Sequence, residues 1–343
     1  MNHCVMLKSV AVFRYYKRCL VASLLVLIGI HVTAKLTKTA VIALAPTWQR
    51  NRTETTAARR SAESQSYSSA LNVVLPGSSH ARNETFNCIT ARVTSLRIPI
   101  CLYAAAIDVY VSATMVRGGY FETDAVSRFL RLLQRDRRLQ FVDIGANIGV
   151  YSLPVARVTR VLAVEPNWRS LVRLAKAADL GAVRSNITLV HNAVSDVRDA
   201  FNMGVDKTNQ GHAFLINTTE CTSTLDGTPC STLSQTKTVF LNDLLPLMRS
   251  TAALLKVDVE GHEVSVFTEP TAGQFFDQID VPLVFMEWMW CRKLSQKTVQ
   301  RLLDFFKIRN YVAFGTRNNR LRKHYRKWPA NVLFKKLSYN FRF

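Results

Sequence analysis

The chain has 343 residues, 48% of them hydrophobic, which suffices for one large α/β domain with appendages and does not require a second catalytic domain. Its net charge of +21 sits at the two ends: residues 1–60 hold ten Lys/Arg and one acid, residues 291–343 hold fifteen and one, and the middle, 61–290, sums to −2. A nucleic-acid-binding domain usually carries its charge on the folded unit, so this distribution argues against a nucleic-acid partner.

At the N-terminus, residues 1–18 form a basic tail with Lys8, Arg14, Lys17 and Arg18. An uncharged run, Cys19 to Ala34, follows. It is short for a bilayer span, but Arg18 and Lys35 can snorkel to the two interfaces. Basic residues before the run predict a cytoplasmic tail, a signal-anchor transmembrane helix over 19–34 and a lumenal remainder. A cleaved signal peptide is the alternative, because Val32-Thr33-Ala34 ends in small residues. A mitochondrial presequence fits less well, since the apolar run is too continuous for an amphipathic transit helix.

Residues 35–85, rich in Ser, Thr, Arg and Asn from 47 onward, read as a flexible stem. Four sequons follow the anchor, at Asn51, Asn83, Asn186 and Asn217, in keeping with a lumenal location. Cys221 and Cys230 flank a turn-rich stretch suited to a small disulfide loop. Cys88–Cys101 is a looser pairing, and Cys291 is left over. Reduced thiols throughout are the alternative. No Cys/His spacing resembles a zinc site, and no metal is assigned.

Residues 86–138 are an N-terminal extension of the main domain with short β-prone pieces. Within it Asp124 is a plausible N-cap for a helix whose apolar face is Val126, Phe129, Leu130 and Leu133. The main domain, 139–343, alternates strand and helix. Strands are predicted at Leu139–Ile144, Arg160–Val164, Ile187–Val190, Leu254–Val259, Leu283–Glu287, Tyr311–Gly315 and Val332–Lys335. Helices are predicted over Ile148–Val158, after Asn167 as N-cap, and after Ser295 as N-cap. This rhythm implies a doubly wound, mainly parallel seven-stranded sheet with helices on both faces. Residues 201–235 interrupt it as an insertion, and 317–328 form a basic segment.

The strongest motif is Phe141-Val-Asp-Ile-Gly-Ala-Asn-Ile-Gly149. A buried strand ends at Asp143, and Gly145 and Gly149 let the backbone turn and approach a ligand, with Asn147 between them. Glu165, in Val161-Leu-Ala-Val-Glu-Pro, ends the next strand, where a carboxylate can accept from ribose hydroxyls. In His191-Asn-Ala-Val-Ser-Asp196, Asp196 or nearby main chain is a candidate for an adenine edge; a capped turn is equally plausible. The fourth motif is Lys256-Val-Asp-Val-Glu-Gly-His-Glu263. Its strand should bring Asp258 to the same crevice as Asp143 and Glu165. The dinucleotide pattern G-x-G-x-x-G is absent, which disfavours an oxidoreductase.

These motifs together resemble the FkbM-type methyltransferase family, of the Rossmann-like class I fold, over roughly Leu139 to Phe334. Val284-Phe-Met-Glu287 and Asn331-Val-Leu-Phe334 fit the family's later strands. The resemblance implies S-adenosylmethionine as cofactor and O-methylation, often of sugar hydroxyls. An alcohol needs a base within reach, and Asp258, Glu260 and His262 are the candidates in that order, with Glu263 behind them. The anchor and sequons point to a glycan acceptor on a secretory-pathway membrane such as the Golgi, and the basic segment would suit an acidic glycan. A membrane-tethered binding or trafficking protein without turnover is the rival.

Overall fold

A computed structural model describes residues 71–74, 84–207, 209–216, 221, 223, 230–268, 271–322 and 324–339. All belong to the compact unit Ser69–Phe343. The basic tail, the expected anchor and most of the stem lie outside the described residues. Among the described residues, no helix is long and apolar enough to cross a membrane.

In chain order the strands and helices are β1 (Val73–Val74), β2 (Asn87–Val93), β3 (Leu96–Leu102), α1 (Val111–Val116), α2 (Thr123–Arg135), β4 (Leu139–Ile144), α3 (Ser152–Val155), β5 (Val161–Val164), α4 (Trp168–Leu180), β6 (Ile187–Val190), β7 (Ala193–Val194), β8 (Ala200–Asp206), β9 (Asn209–Ile216), β10 (Cys230–Val239), β11 (Ala252–Val257), α5 (Glu263–Thr268), α6 (Ala272–Gln278), β12 (Asp280–Glu287), α7 (Gln296–Lys307), β13 (Tyr311–Gly315) and β14 (Asn331–Lys336).

The main sheet has the order β1-β6-β5-β4-β11-β12-β14-β13. Its five central strands, β6 to β12, are parallel. β14 and β13 run antiparallel at one edge. The seven expected strands are all present, and β1 adds an eighth, antiparallel to β6. Strand order reverses between β4 and β11, because β5 and β6 are laid down on one side of β4 and the later strands on the other. Such a switch point opens a crevice beyond the carboxyl ends of the strands.

Alternation within the central strands fills both faces. Phe141, Leu254, Phe285 and Leu333 face a core shared with α2 and α4. Val142, Ile144, Leu255, Val257, Val284 and Met286 face a second core shared with α5, α6 and α7. There Phe306 stacks on Phe334 with ring centroids 3.9 Å apart. Asn167 caps α4 by accepting from Arg169 N, and Ser295 caps α7 by accepting from Thr298 N, as their positions predict.

Two expectations need correction. The helix predicted over Ile148–Val158 shrinks to the four residues of α3. Asn147 and Gly149 have φ of 49° and 93°, so the chain is still turning where the helix was to start, and Pro154 removes an N–H donor. Asp124 is not the cap of α2 but lies in its first turn, behind Glu122. The insertion forms a sheet of its own: β10 pairs with β8, β8 with β9, and β10 runs parallel to β7. Both proposed disulfides form, Cys88–Cys101 across the β2–β3 hairpin and Cys221–Cys230 in the insertion. Cys291 is free and buried.

Candidate functional site

A crevice of about 610 Å³ lies over the carboxyl ends of the parallel strands, within the range of small-molecule sites. One end is built by the turn after β4. Gly145 has φ +85°, and a Cβ there would run into the carbonyl of Asp258 on the neighbouring strand end. Only glycine allows the two strand ends to approach so closely. Glu165, 5% exposed, holds the turn: its Oε2 accepts from Asn147 N and its Oε1 from Asn167 N, both at 2.7 Å. Burial, only partly offset by these bonds, pushes its carboxyl up to about 7. Asn147 also donates to Gly211 O at 3.2 Å, which ties the insertion to the turn.

Gly145, Asn147 and Glu165 therefore line the crevice as expected. The other expected cofactor residues stand behind it. Asp143 is fully buried, accepts from Ser152 Oγ at 2.6 Å and pairs with Lys256 at 3.2 Å. Burial drives its carboxyl up, against the pull of Lys256. Gly149 makes room for Leu153 and Leu174. Beyond β6, Asn192, Ala193 and Val194 reach the crevice, and Asp196 lies outside its lining.

The other end is acidic. Asp258, Glu260 and Glu287 bring oxygens within 4.8 Å of one another. Carboxylates at this spacing are the donor type that hard divalent cations take. The chain supplies its own cation, however, and we assign no metal. Lys256, 3% exposed, sits 3.2 Å from Asp143 and 3.4 Å from Asp258, and donates to Gly145 O at 3.0 Å. Burial alone would push Lys256 down; the charges of Asp143 and Asp258 reverse that and raise it. Burial and the neighbouring carboxylates push Glu287 up to about 11 and Glu260 well above its ordinary range. Glu287 holds its proton at neutral pH. Trp290 Nε1 donates to Glu260 at 3.2 Å.

The candidate bases thus separate. Asp258 is bound to Lys256. Glu260, with φ of 53°, faces the crevice. His262 lines it too, but it is half-buried and bonded to the Leu215 backbone, and desolvation lowers its basicity. It anchors β9. Glu263 turns inward and accepts from Val259 N and Gly261 N at 3.2 Å.

Several crevice residues escaped the sequence reading. Lys256 and Glu287 had a signal, each being a charge inside or ending an otherwise apolar strand. Glu122 and His212 had none. Glu122, in the extension, accepts from Tyr151 Oη at 2.6 Å and from Asn331 Nδ2 at 3.1 Å. His212, on β9, comes to the crevice only through the fold of the insertion.

The methyltransferase FkbM domain family matches residues 143–313. The domain belongs to the FkbM methyltransferase family. Solved structures similar to this chain include a precorrin-6y C5,15-methyltransferase from Geobacter metallireducens GS-15, 12% identical, covering 62% of this chain and 88% of that one at a TM-score of 0.33. A SAM-dependent O-methyltransferase from Thermotoga maritima is 9% identical, with 74% and 79% covered and a TM-score of 0.34. A magnesium protoporphyrin IX methyltransferase from Synechocystis PCC 6803 with bound SAM is 11% identical, with 62% and 78% covered and a TM-score of 0.33. No curated protein matches the chain.

The crevice fits S-adenosylmethionine, the cofactor expected of an FkbM methyltransferase domain. Gly145 lets the β4 turn close against the Asp258 carbonyl at the floor of the crevice, Glu165 has lone pairs beyond the two it gives to main chain, and the acidic lining suits a sulfonium cation. When bound, S-adenosylmethionine supplies an electrophilic methyl group.

Proposed function

We propose that this chain is an O-methyltransferase acting on a hydroxyl group of a glycan from the lumenal side of a secretory-pathway membrane. The observation that carries the methyl-transfer part is one crevice with two chemically distinct ends. The Gly145–Glu165 end suits a nucleoside, and the Asp258–Glu260–Glu287 end suits a hydroxyl acceptor. The 3.0–3.4 Å contacts of Lys256 to Gly145, Asp143 and Asp258 join the two ends rigidly. Rigid placement of two reactants accounts for much of the acceleration that such a reaction requires.

The glycan part has separate support. Two disulfides fit an oxidising compartment. The apolar run at 19–34, with its basic tail, reads as an anchor. Of the four sequons, Asn186 is described and exposed, although its amide donates to Ala156 O at 3.0 Å and must release it to be glycosylated. At the mouth of the crevice, Tyr110 is 61% exposed beside Val109 and Met289, an amphipathic platform for a sugar ring. The basic segment 317–328 suits an acidic chain.

Glycan mass spectrometry of cells with and without the protein tests the proposal. The expected result is a set of glycans heavier by one CH₂ only when the protein is present. Identical glycan profiles, together with methylation of another class of molecule, would replace the acceptor.

A further inference from the structure

We propose that His212, on the insertion strand β9, is the general base that takes the proton from the acceptor hydroxyl, with Asp206 as the group that orients it. The proposal rests on the methyl-transfer reading above and names the residue that does the proton work.

His212 lines the crevice and its side chain is 12% exposed. Its ring stacks on Trp290, with centroids 5.5 Å apart and planes at 24°, and is tilted against Phe214 at 5.3 Å. These two contacts hold the imidazole in place. Nδ1 lies 3.9 Å from Asp206 Oδ2 on β8. Nε2 points the other way and lies 3.4 Å from Glu260 Oε2, at the acidic end of the crevice. The proposal places the imidazole proton on Nδ1, facing Asp206, and has the acceptor hydroxyl take the place of Glu260 at Nε2.

The alternatives are less able to accept a proton. Asp258 is held by Lys256, Glu260 accepts from Trp290 Nε1, and burial with the neighbouring carboxylates pushes Glu287 up to about 11. The ring of His262 is turned to the Leu215 backbone. The groups facing His212 are Asp206 from β8, Glu260 from the loop after β11, and the rings of Trp290 and Phe214, with Asp258 and Glu287 in the same pocket. Asp206, facing Nδ1, supplies the negative charge that stabilises the imidazolium where it is made.

The step balances. The acceptor oxygen forms a bond to the sulfonium methyl carbon, the C–S bond breaks with its electron pair going to sulfur, and the hydroxyl proton moves to Nε2. The imidazolium then releases that proton to water. No redox partner is needed.

The test uses the full-length chain labelled with ¹⁵N-histidine. The His212 signal is identified as the one missing from His212→Gln, and it reports the tautomer with no acceptor present. At pH 7.5 the proposal predicts a neutral ring protonated on Nδ1. A ring protonated on Nε2, or on both nitrogens, overturns it. His212→Gln should bind S-adenosylmethionine within about twofold of wild type yet lose roughly 100-fold or more in turnover on a pool of released N-glycans and glycosaminoglycan oligosaccharides. The alkaline plateau of the wild-type pH profile should vanish with it, and free imidazole should restore part of the rate in His212→Ala. Full turnover in His212→Gln refutes the base assignment alone. Failure of the wild type to bind S-adenosylmethionine refutes the methyl-transfer reading beneath it.

Discussion

Replacing Lys256 with Met removes the cation between the two ends of the crevice while keeping a similar apolar volume. Asp143 is fully buried, and Lys256 Nζ, 3.2 Å from its Oδ1, is its counter-charge. Removing one partner of a buried pair costs about 3–5 kcal/mol, because the other charge is left uncompensated. The pair with Asp258 adds little, since that side chain is 34% exposed and screened by water. The penalty can be relieved by protonating Asp143. Burial already raises its carboxyl and Lys256 pulls it down, so in the variant it rises further. A group whose folded pKa lies above its unfolded value contributes stability at low pH and loses it as pH climbs through the folded pKa. The deficit of K256M should therefore grow from pH 5 to pH 8, by at most about 1.4 kcal/mol per unit. Urea midpoints of the full-length chain at the two pH values, with unchanged m, provide the measurement. The double variant K256M/D143N should recover at least half the loss, as coupled neighbours do. A deficit below about 1 kcal/mol at both pH values, or one that shrinks with rising pH, would refute the assignment of Lys256 as the buried counter-ion.

Glu165→Gln keeps the size of the side chain but gives it one acceptor oxygen where two N–H groups are received; S-adenosylmethionine affinity by calorimetry should fall about tenfold, the cost of one unmade buried hydrogen bond. Because burial raises Glu165 from 4.5 to about 7, its contribution to unliganded stability is lost as pH rises to that value, and the Gln variant should lack this part of the pH dependence between about 4.5 and 7 in thermal melts. Gly145→Ala forces a side chain into a left-handed backbone against the Asp258 carbonyl, so unfolding should be easier by about 2 kcal/mol or more and the cofactor should bind at least tenfold more weakly. The double variant C221S/C230S opens a loop with a sequence separation of 9; it should lower stability by about 2–3 kcal/mol in urea titration.

Much of the sheet could be read in advance because buried parallel strands are short apolar runs. β4, β6 and β13 have the predicted bounds, and the other four predicted strands differ by a few residues at their ends. Gly145 and Glu165 were legible because a strand end, a glycine turn and an acid about 20 residues on form a pattern with one physical purpose. The short α3 was misread because a mostly apolar stretch follows the glycine motif while the chain is still turning at Asn147 and Gly149. The insertion was unreadable for another reason. β8 pairs with its chain neighbour β9 and with the more distant β10, and nothing local in Gln210-Gly211-His212 marks His212 as a crevice residue. Glu122 is the same case: its partners, Tyr151 and Asn331, lie 29 and 209 residues away.

The central claim is that the crevice between the β4 turn, Glu165 and Asp258 holds S-adenosylmethionine. Calorimetric titration of the full-length chain tests it most directly. The account predicts saturable binding at one site, competition by S-adenosylhomocysteine, and marked weakening in Gly145→Ala. A folded sample that shows no heat of binding, or that binds equally well with Gly145 replaced, would contradict it.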